Sequence, residues 1–438
     1  MQKMKIKYGI IFICIMAVLL IEKESSILSR LCDTLMREQR PQQTPQDESI
    51  TTQKGSLTFL QVLLSKLSYP KWNYTNSSEE PEKEDQKDLE TRGHKHVLLM
   101  ASTRTGSSFV GELFNQHGEG MFYLFEPLWH VERMLTSTAE TTNWRDAPGI
   151  FRDILHALFL CDFSSLENFI LPPPKDHVTP DFFRRESSLS LCEESVCSPV
   201  DKDVFQSYHC MTRRCGPLNL TLAAQSCLSK KHHAIKSVRV QLLETLQPLL
   251  EDPRLDVRVI QLVRDPRAIL ASRMEAFPSF YHMWKDWAQD GQVPEDDEEV
   301  MRLKGSCDEV RSSVEMGLSQ PAWLRGRYML VRYEDIALDP MQKAEEMYKF
   351  AEIPFSSQAR EWILKNTHAT EEASSYFSTQ KNSSEHAEKW RFSIPFTLAQ
   401  VVQKVCGPTM QLFGYKFVND EKTLINKSFS LREDKQFN

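Results

Sequence analysis

Arg104 and Arg264 each follow an apolar run and precede a helix-like pattern. In the first case His96-Val97-Leu98-Leu99-Met100-Ala101 leads into the polar loop Ser102-Thr103-Arg104-Thr105-Gly106-Ser107-Ser108. Phe109-Val110-Gly111-Glu112-Leu113-Phe114 then starts a helical pattern. Apolar run, small polar loop and helix start make the layout of a phosphate cradle. Loop amides and a helix N-terminus offer donors and partial positive charge to an anion. Arg104 adds a full charge with a forked donor set, and Gly106 permits a turn that a Cβ resists. The loop is not a nucleotide-triphosphate P-loop. Ala101 stands where that pattern needs its first Gly, and Ser107 where it needs Lys.

The second stretch, Val257-Arg258-Val259-Ile260-Gln261-Leu262-Val263, reads as a strand. It ends in Arg264-Asp265-Pro266-Arg267-Ala268-Ile269-Leu270-Ala271-Ser272. Asp265 suits a helix cap and Pro266 a first helical turn. Arg264 then leaves the carboxyl end of the strand, and Ser272 sits two turns into the helix, where both can meet a further phosphate. Each stretch alone also has a plainer reading: a Ser/Thr-rich turn for the first, a buried Arg264–Asp265 pair for the second.

Together the two stretches resemble a family. Thr103-Arg104-Thr105-Gly106-Ser107-Ser108 is similar to the 5′-phosphosulfate-binding loop of the Golgi carbohydrate sulfotransferases, and Arg264 through Ser272 resembles their 3′-phosphate-binding element. The resemblance runs from about His96 to Tyr415. It takes in Tyr123-Leu124-Phe125-Glu126-Pro127-Leu128-Trp129-His130, Val331-Arg332-Tyr333-Glu334-Asp335 and Lys389-Trp390-Arg391, and within the family it is nearest the chondroitin 6-O-sulfotransferases. It implies 3′-phosphoadenosine 5′-phosphosulfate as donor and a sugar hydroxyl as acceptor. Sulfur is attacked in line, and charge develops on the oxygen bridging to phosphate. Arg104 and the amides from Thr105 to Ser108 would stabilise that charge, and Arg264 and Ser272 would hold the 3′-phosphate. Protein donors serve the leaving group, so no metal is required. The acceptor hydroxyl needs a base. Glu126, at a strand end after the first loop, is the candidate, with His130 in reserve; the plainer reading has Glu126 capping a helix or pairing with Arg104. The implied acceptor is C6 of N-acetylgalactosamine in chondroitin, with galactose C6 in keratan-type chains as the other choice.

These residues need a scaffold. Strands ending in polar residues at successive βα turns imply an α/β fold: a P-loop-like sulfotransferase domain with a central parallel sheet and its ligand at the carboxyl edge. Met121-Phe122-Tyr123-Leu124-Phe125 and Tyr328-Met329-Leu330-Val331-Arg332-Tyr333 read as further strands, and Met341–Phe350 as a helix stopped at Ile353-Pro354. The acidic run Glu295–Glu299 reads as solvent-exposed. Around Lys389-Trp390-Arg391 the resemblance implies closure over the nucleotide, while Trp390 as plain core fits equally.

The 438 residues, 41% hydrophobic, suffice for a large core. A net charge of −7 gives no support for nucleic-acid binding and leaves any polyanion site to a local basic patch. Arg213, Arg214, Lys230, Lys231, Lys236 and Arg239 are candidates for such a patch beside solvated-surface readings. Ten cysteines are many for a cytosolic enzyme. Eight of them, Cys161, Cys192, Cys197, Cys210, Cys215, Cys227, Cys307 and Cys406, point to disulfides, with zinc at Cys192/Cys197 and Cys210/Cys215 as the rival. Asn73, Asn76, Asn219, Asn382 and Asn426 stand in N-x-S/T triplets, in keeping with export.

Lys3, Lys5 and Lys7 precede an uncharged run, Tyr8–Ile21, which reads as an uncleaved signal anchor with the remainder in the lumen. The expected organisation is a cytosolic tail over 1–7, a transmembrane anchor over 8–21, a luminal stem over 22–94 and a catalytic domain over 95–438. The protein is thus expected to be a single-pass type II protein of the Golgi membrane acting on a glycosaminoglycan. In the stem Leu57, Leu60, Leu64 and Leu67 recur at helical spacing. They suit either a helix lying on the domain or a self-association helix, with Cys32 joining two chains as a homo-oligomer. Two rival functions remain at this level: a luminal ATP-dependent glycan kinase, disfavoured by the missing loop Lys and the lack of an Asp-Phe-Gly triplet, and a non-catalytic glycan-binding membrane protein.

Overall fold

Five strands whose residues are almost all buried form a parallel sheet. They are β1 (Lys95–Ala101), β2 (Met121–Phe125), β5 (His232–Ser237), β6 (Val257–Val263) and β7 (Tyr328–Arg332), in the order β2-β5-β1-β6-β7. Continuous apolar strands of this kind need cover on both faces. On one face Val97, Leu99, Ala101, Tyr123, Phe125, Ile260, Leu262, Met329 and Val331 point alternately into one core. That core is completed by helices α1 (Ser107–Asn115), α6 (Tyr333–Leu338), α7 (Pro340–Ala351) and α8 (Ser357–Thr367). On the other, Phe122 meets Phe163, and His96 meets Phe159 at the end of α3 (Ala147–Phe159). The chain starts in the middle of the sheet at β1, builds β2 and β5 to one side, then β6 and β7 to the other. The turn after β1 therefore opens at a point where strand order reverses, the usual ligand crevice of open α/β sheets.

This computed structural model describes residues 93–437 with breaks at 138–146, 170–184, 186, 198–207, 211–212, 217, 295 and 368–382. The anchor (8–21), nearly all the stem, Cys32, the leucine-spaced segment and Asn73, Asn76 and Asn382 lie outside the described residues. Among the described residues no helix is long and apolar enough to cross a membrane. Asn219 and Asn426 are exposed; the Asn219 side chain caps the helix Leu220–Ser229 by accepting from the Leu222 amide.

All eight cysteines of the catalytic region are paired, as Cys161–Cys227, Cys192–Cys210, Cys197–Cys215 and Cys307–Cys406. The zinc reading fails because each of its four sulfurs is bonded to another. Two parallel bridges fasten residues 192–197 to the small hairpin β3 (Tyr208–Cys210) and β4 (Arg213–Cys215). Arg185 locks this insert from inside, donating to the carbonyls of Leu191, Val196 and Gly216. Cys307–Cys406 closes a loop of 99 residues, and restraint of an unfolded loop that long contributes about 4–5 kcal/mol. The acidic run is at the surface as expected, with Asp296 and Glu298 exposed, and it also starts a helix. Asp297 accepts from the Glu299 amide and caps the 22-residue helix α5 (Glu298–Ser319), with Glu298 and Glu299 in the first turn where negative charge is favoured.

Residues 431–435 return to brace the end of β7. The Lys416 amide donates to the Leu431 carbonyl and the Glu433 amide to the Gly414 carbonyl, and the Arg432 guanidinium pairs with Asp335 on α6. Arg332, 1% exposed, forks onto the same Asp335 and donates to the Phe413 and Glu433 carbonyls.

At the amino edge of the sheet His96 and His233 lie side by side, ring centroids 5.0 Å apart. Both ring nitrogens of His96 and Nδ1 of His233 are buried without a hydrogen-bond partner. Burial, then the adjacent imidazoles, hold His96 well below its ordinary value, and burial, then His94, hold His233 down at about 4. These folded-state values lie below those of the unfolded chain, which therefore binds more protons in the window between. The stability they contribute is intact above about pH 6.5 and is lost as pH falls toward 4. Denaturant midpoints should fall between pH 7 and 5 by on the order of 1–2 kcal/mol per histidine. His96→Phe should flatten that dependence, and an unchanged slope would remove His96 from the account.

Candidate active site

The loop after β1 is folded by its own residues. The Thr105 amide and hydroxyl both reach the Ser102 carbonyl, at 3.3 and 2.8 Å. Arg104 and Gly106 take left-handed backbone, φ 73° and 89°. Gly106 is the N-cap of α1 but supplies no side-chain acceptor, so the first-turn amides have no side-chain cap. A Cβ on Gly106 would lie 2.3 Å from the Tyr333 ring. The loop thus rests on the first residue of α6, and glycine is required both for the turn and for the contact.

The turn after β6 meets this loop directly. Arg104 Nε donates to Ser272 Oγ at 3.0 Å, Arg264 Nη1 donates to the Arg104 carbonyl at 3.0 Å, and Arg273 donates to the Thr103 carbonyl at 3.3 Å. The Arg264 guanidinium lies over the same Tyr333 ring at 4.7 Å, and its Nε is buried without a partner. Burial and then the Arg264 charge lower the Arg104 pKa, with Glu275 only partly opposing them. Two guanidinium groups are therefore held near each other against repulsion, an arrangement that a multiply charged anion relieves.

Within 264–272 the residues divide sharply. Asp265 caps α4 (Pro266–Ala276) and takes a bidentate bond from Arg267, which is fully buried, donates to Gln403 and packs over Trp390. Ala268 and Leu270 are core, Ala271 is buried, and Ile269 lines a small apolar pocket with Pro266. Only Arg264 and Ser272 of this stretch make side-chain contacts with the loop. Trp390 is buried and Arg391 bonds to the Leu424, Asn426 and Phe429 carbonyls, so both pack as core.

Glu126 stands two strands further along the same edge, after β2, its backbone in the left-handed region at φ 48°. Its two oxygens are taken by Lys236 Nζ and Arg239 Nη1, both at ion-pair contact, and not by Arg104. Lys236 is 1% exposed beneath the Phe125 ring, 4.3 Å away, while Arg239 also donates to Glu132 at 2.8 Å. Burial pushes the Glu126 carboxyl up, but the Lys236 and Arg239 charges and hydrogen bonds outweigh it and hold it below the ordinary carboxylate value. His130 is buried edge-on against Trp129, ring centroids 4.8 Å apart. Lys230 pairs with Glu193. Three of the six cations considered for a surface patch are thus engaged in ion pairs at the domain's interior or edge.

The sulfotransferase domain family matches residues 94–414. The chain belongs to the carbohydrate sulfotransferases. It is 54% identical to carbohydrate sulfotransferase 3 of Mus musculus over 95% of this chain and 91% of that protein. To the Homo sapiens protein of the same name it is 52% identical, over 99% of this chain and 95% of the relative. Carbohydrate sulfotransferase 1 of Mus musculus is 46% identical over 78% of this chain and 84% of its own length.

In this sulfotransferase several residues of the cleft carried no assigned role in the sequence reading. Tyr333 floors both arginine turns. Glu334 accepts from the Asp265 amide and from Tyr415 Oη; burial, then Asp265, raise its carboxyl pKa, though Arg264 opposes them. Arg273 ties down the loop. Only Val331–Asp335 had any signal, as a quoted motif. Gly106→Ala should abolish sulfate transfer and lower the melting temperature, because both φ and the Tyr333 ring oppose a Cβ. Gly291, also at positive φ but with open space around it, is the control: Gly291→Ala should cost about 1 kcal/mol and leave turnover near wild type. Comparable losses in the two variants would show that backbone strain, not the ring contact, is what matters.

Proposed function

We propose that this sulfotransferase moves a sulfuryl group from 3′-phosphoadenosine 5′-phosphosulfate to the C6 hydroxyl of N-acetylgalactosamine in chondroitin. Galactose C6 of keratan-type chains is the second acceptor to be tested. The observation that carries the donor reading is the meeting of two arginine turns in one cleft, through Arg104 with Ser272 and Arg264 with the Arg104 carbonyl. A nucleotide with an anionic group at each end suits a cleft with a cation on each turn. Thr103, Arg104, Thr105, Gly106, Ser107 and Ser108 form the 5′ end of that cleft, where Arg104 and the start of α1 face the charge developing on the bridging oxygen. Arg264 and Ser272 serve the 3′ end, and Asp265, Pro266, Arg267, Ala268, Ile269, Leu270 and Ala271 form the helix start that holds those two in place. These groups meet the leaving-group charge without a metal. Glu126 is the general base, and the chondroitin assignment rests on the resemblance drawn from the sequence.

The enzyme is read as a type II protein of the Golgi membrane, anchored by 8–21, with glycans on its Asn-x-Ser/Thr sites. Four disulfides suit an oxidising lumen. Sulfate transfer to desulfated chondroitin and to keratan, followed by disaccharide analysis, tests the acceptor: 6-sulfated N-acetylgalactosamine is expected. Product only on galactose would replace chondroitin with keratan. Arg104→Ala and Arg264→Ala should each lower transfer at least about 100-fold while secretion continues. Glu126→Gln should lower kcat by about 10²–10⁴-fold with the affinity for adenosine 3′,5′-bisphosphate unchanged; a rate near wild type would require a different base.

A further inference from the structure

A general base needs a lone pair facing the hydroxyl and a proton affinity suited to neutral pH. Glu126 as it stands has a cation on each oxygen, Lys236 on one and Arg239 on the other, which leaves one lone pair on each and holds its proton affinity below the ordinary carboxylate value. Withdrawal of one cation would open an oxygen to the hydroxyl and raise that affinity. Lys236 is not the one: it is 1% exposed and sealed under the Phe125 ring. Arg239 is the outer cation. Its guanidinium spans Glu126 and Glu132; Arg239 is itself 13% exposed against 1% for Lys236, and Glu132 is 41% exposed, so an anion from solvent would compete for Arg239 by displacing Glu132. Resting on the acceptor reading above, we propose that Arg239 is the specificity-determining residue for an acidic polysaccharide, taking the uronate carboxylate next to the target sugar and in doing so releasing Glu126 Oε2.

The exchange keeps charge balanced. Arg239 gives up one carboxylate and gains another in the same bidentate-capable geometry. Lys236 stays on Oε1 and keeps the side chain aimed. The charged and titratable groups then facing Glu126 are Lys236, the buried Tyr123 and, across Arg239, Glu132. With one cation withdrawn, the carboxylate gains proton affinity. The acceptor hydroxyl passes its proton to Oε2, and its oxygen pair forms the new S–O bond. The old bond from sulfur to the bridging oxygen breaks with its pair going to the 5′-phosphate of the departing nucleotide, and Glu126 later returns the proton to water. A neutral acceptor has nothing to offer Arg239 and meets a base still held by two cations. Arg239 in this account orients and gates the base, and its contact with the uronate sets preference among acceptors.

The test compares desulfated chondroitin with the same polymer after reduction of its uronate carboxyls to alcohols. Wild type should prefer the carboxylate form about tenfold or more in kcat/KM, and the acidic limb of its kcat–pH profile should lie at higher pH on that form. Arg239→Gln should bring the two polymers to within about twofold of each other and superimpose their acidic limbs. Arg239→Lys should restore part of the preference. Melting temperature and adenosine 3′,5′-bisphosphate binding report whether each variant is folded, and the wild-type comparison decides the matter even where Arg239→Gln is not. Equal use of both polymers by wild type, with coincident pH limbs, overturns the proposal while leaving chondroitin as acceptor. Product formed only on neutral galactose polymers sinks the proposal and the acceptor reading together.

Discussion

Electrostatic repulsion between two guanidinium groups is the constraint on which the site depends. Arg104 and Arg264 come from turns after neighbouring strands, β1 and β6, and each is fixed by the other's element: one by Ser272, the other by a backbone carbonyl. Hydrogen bonds set the direction of the guanidinium groups, and at Arg104 the charge of Glu275 only partly offsets that of Arg264. Such an arrangement costs stability in the free protein and returns it when an anion binds. The sheet makes this tolerable. Parallel pairing fixes the two strand ends in register, so the arginines are brought together by ladder geometry and not by attraction between themselves.

Two strands away the opposite solution is used. Glu126 is enclosed by two cations and its charge is neutralised locally. The carboxyl edge therefore carries two neighbouring guanidinium groups over β1 and β6 and an acid–base cluster over β2 and β5. Arg104 and Glu126, one in each of these clusters, both take left-handed backbone.

The sequence was legible where local physics decides structure. β-Branched and apolar runs specified β1, β6 and β7, and Asp265 with Pro266 specified the start of α4, because a cap and a fixed φ act on their own neighbours. Arg104, Gly106, Arg264 and Ser272 could be picked out because they belong to those local patterns. Lys236 and Arg239 could not be paired with Glu126: the contact spans more than a hundred residues and needs β5 inserted between β2 and β1. Reading them as surface cations followed from composition alone. The acidic run is at the surface as expected, with Asp296 and Glu298 exposed, and it also starts a helix, since a solvated stretch and a helix N-terminus favour the same residues. Arg267 and Trp390 show the limit of motif transfer. They sit inside the resembling stretches, yet their contacts are with each other and with the core.

The bracing of α6 by residues 431–435 has a consequence for biogenesis. Tyr333, on which both arginine turns rest, opens a helix whose Asp335 is fastened to Arg432. During synthesis the β1 loop emerges early, but its floor is not clamped until the last turns of the chain have left the ribosome. The catalytic cleft is therefore among the final parts to set. A nascent chain released before that point would carry the whole parallel sheet and still lack a stable seat for the nucleotide.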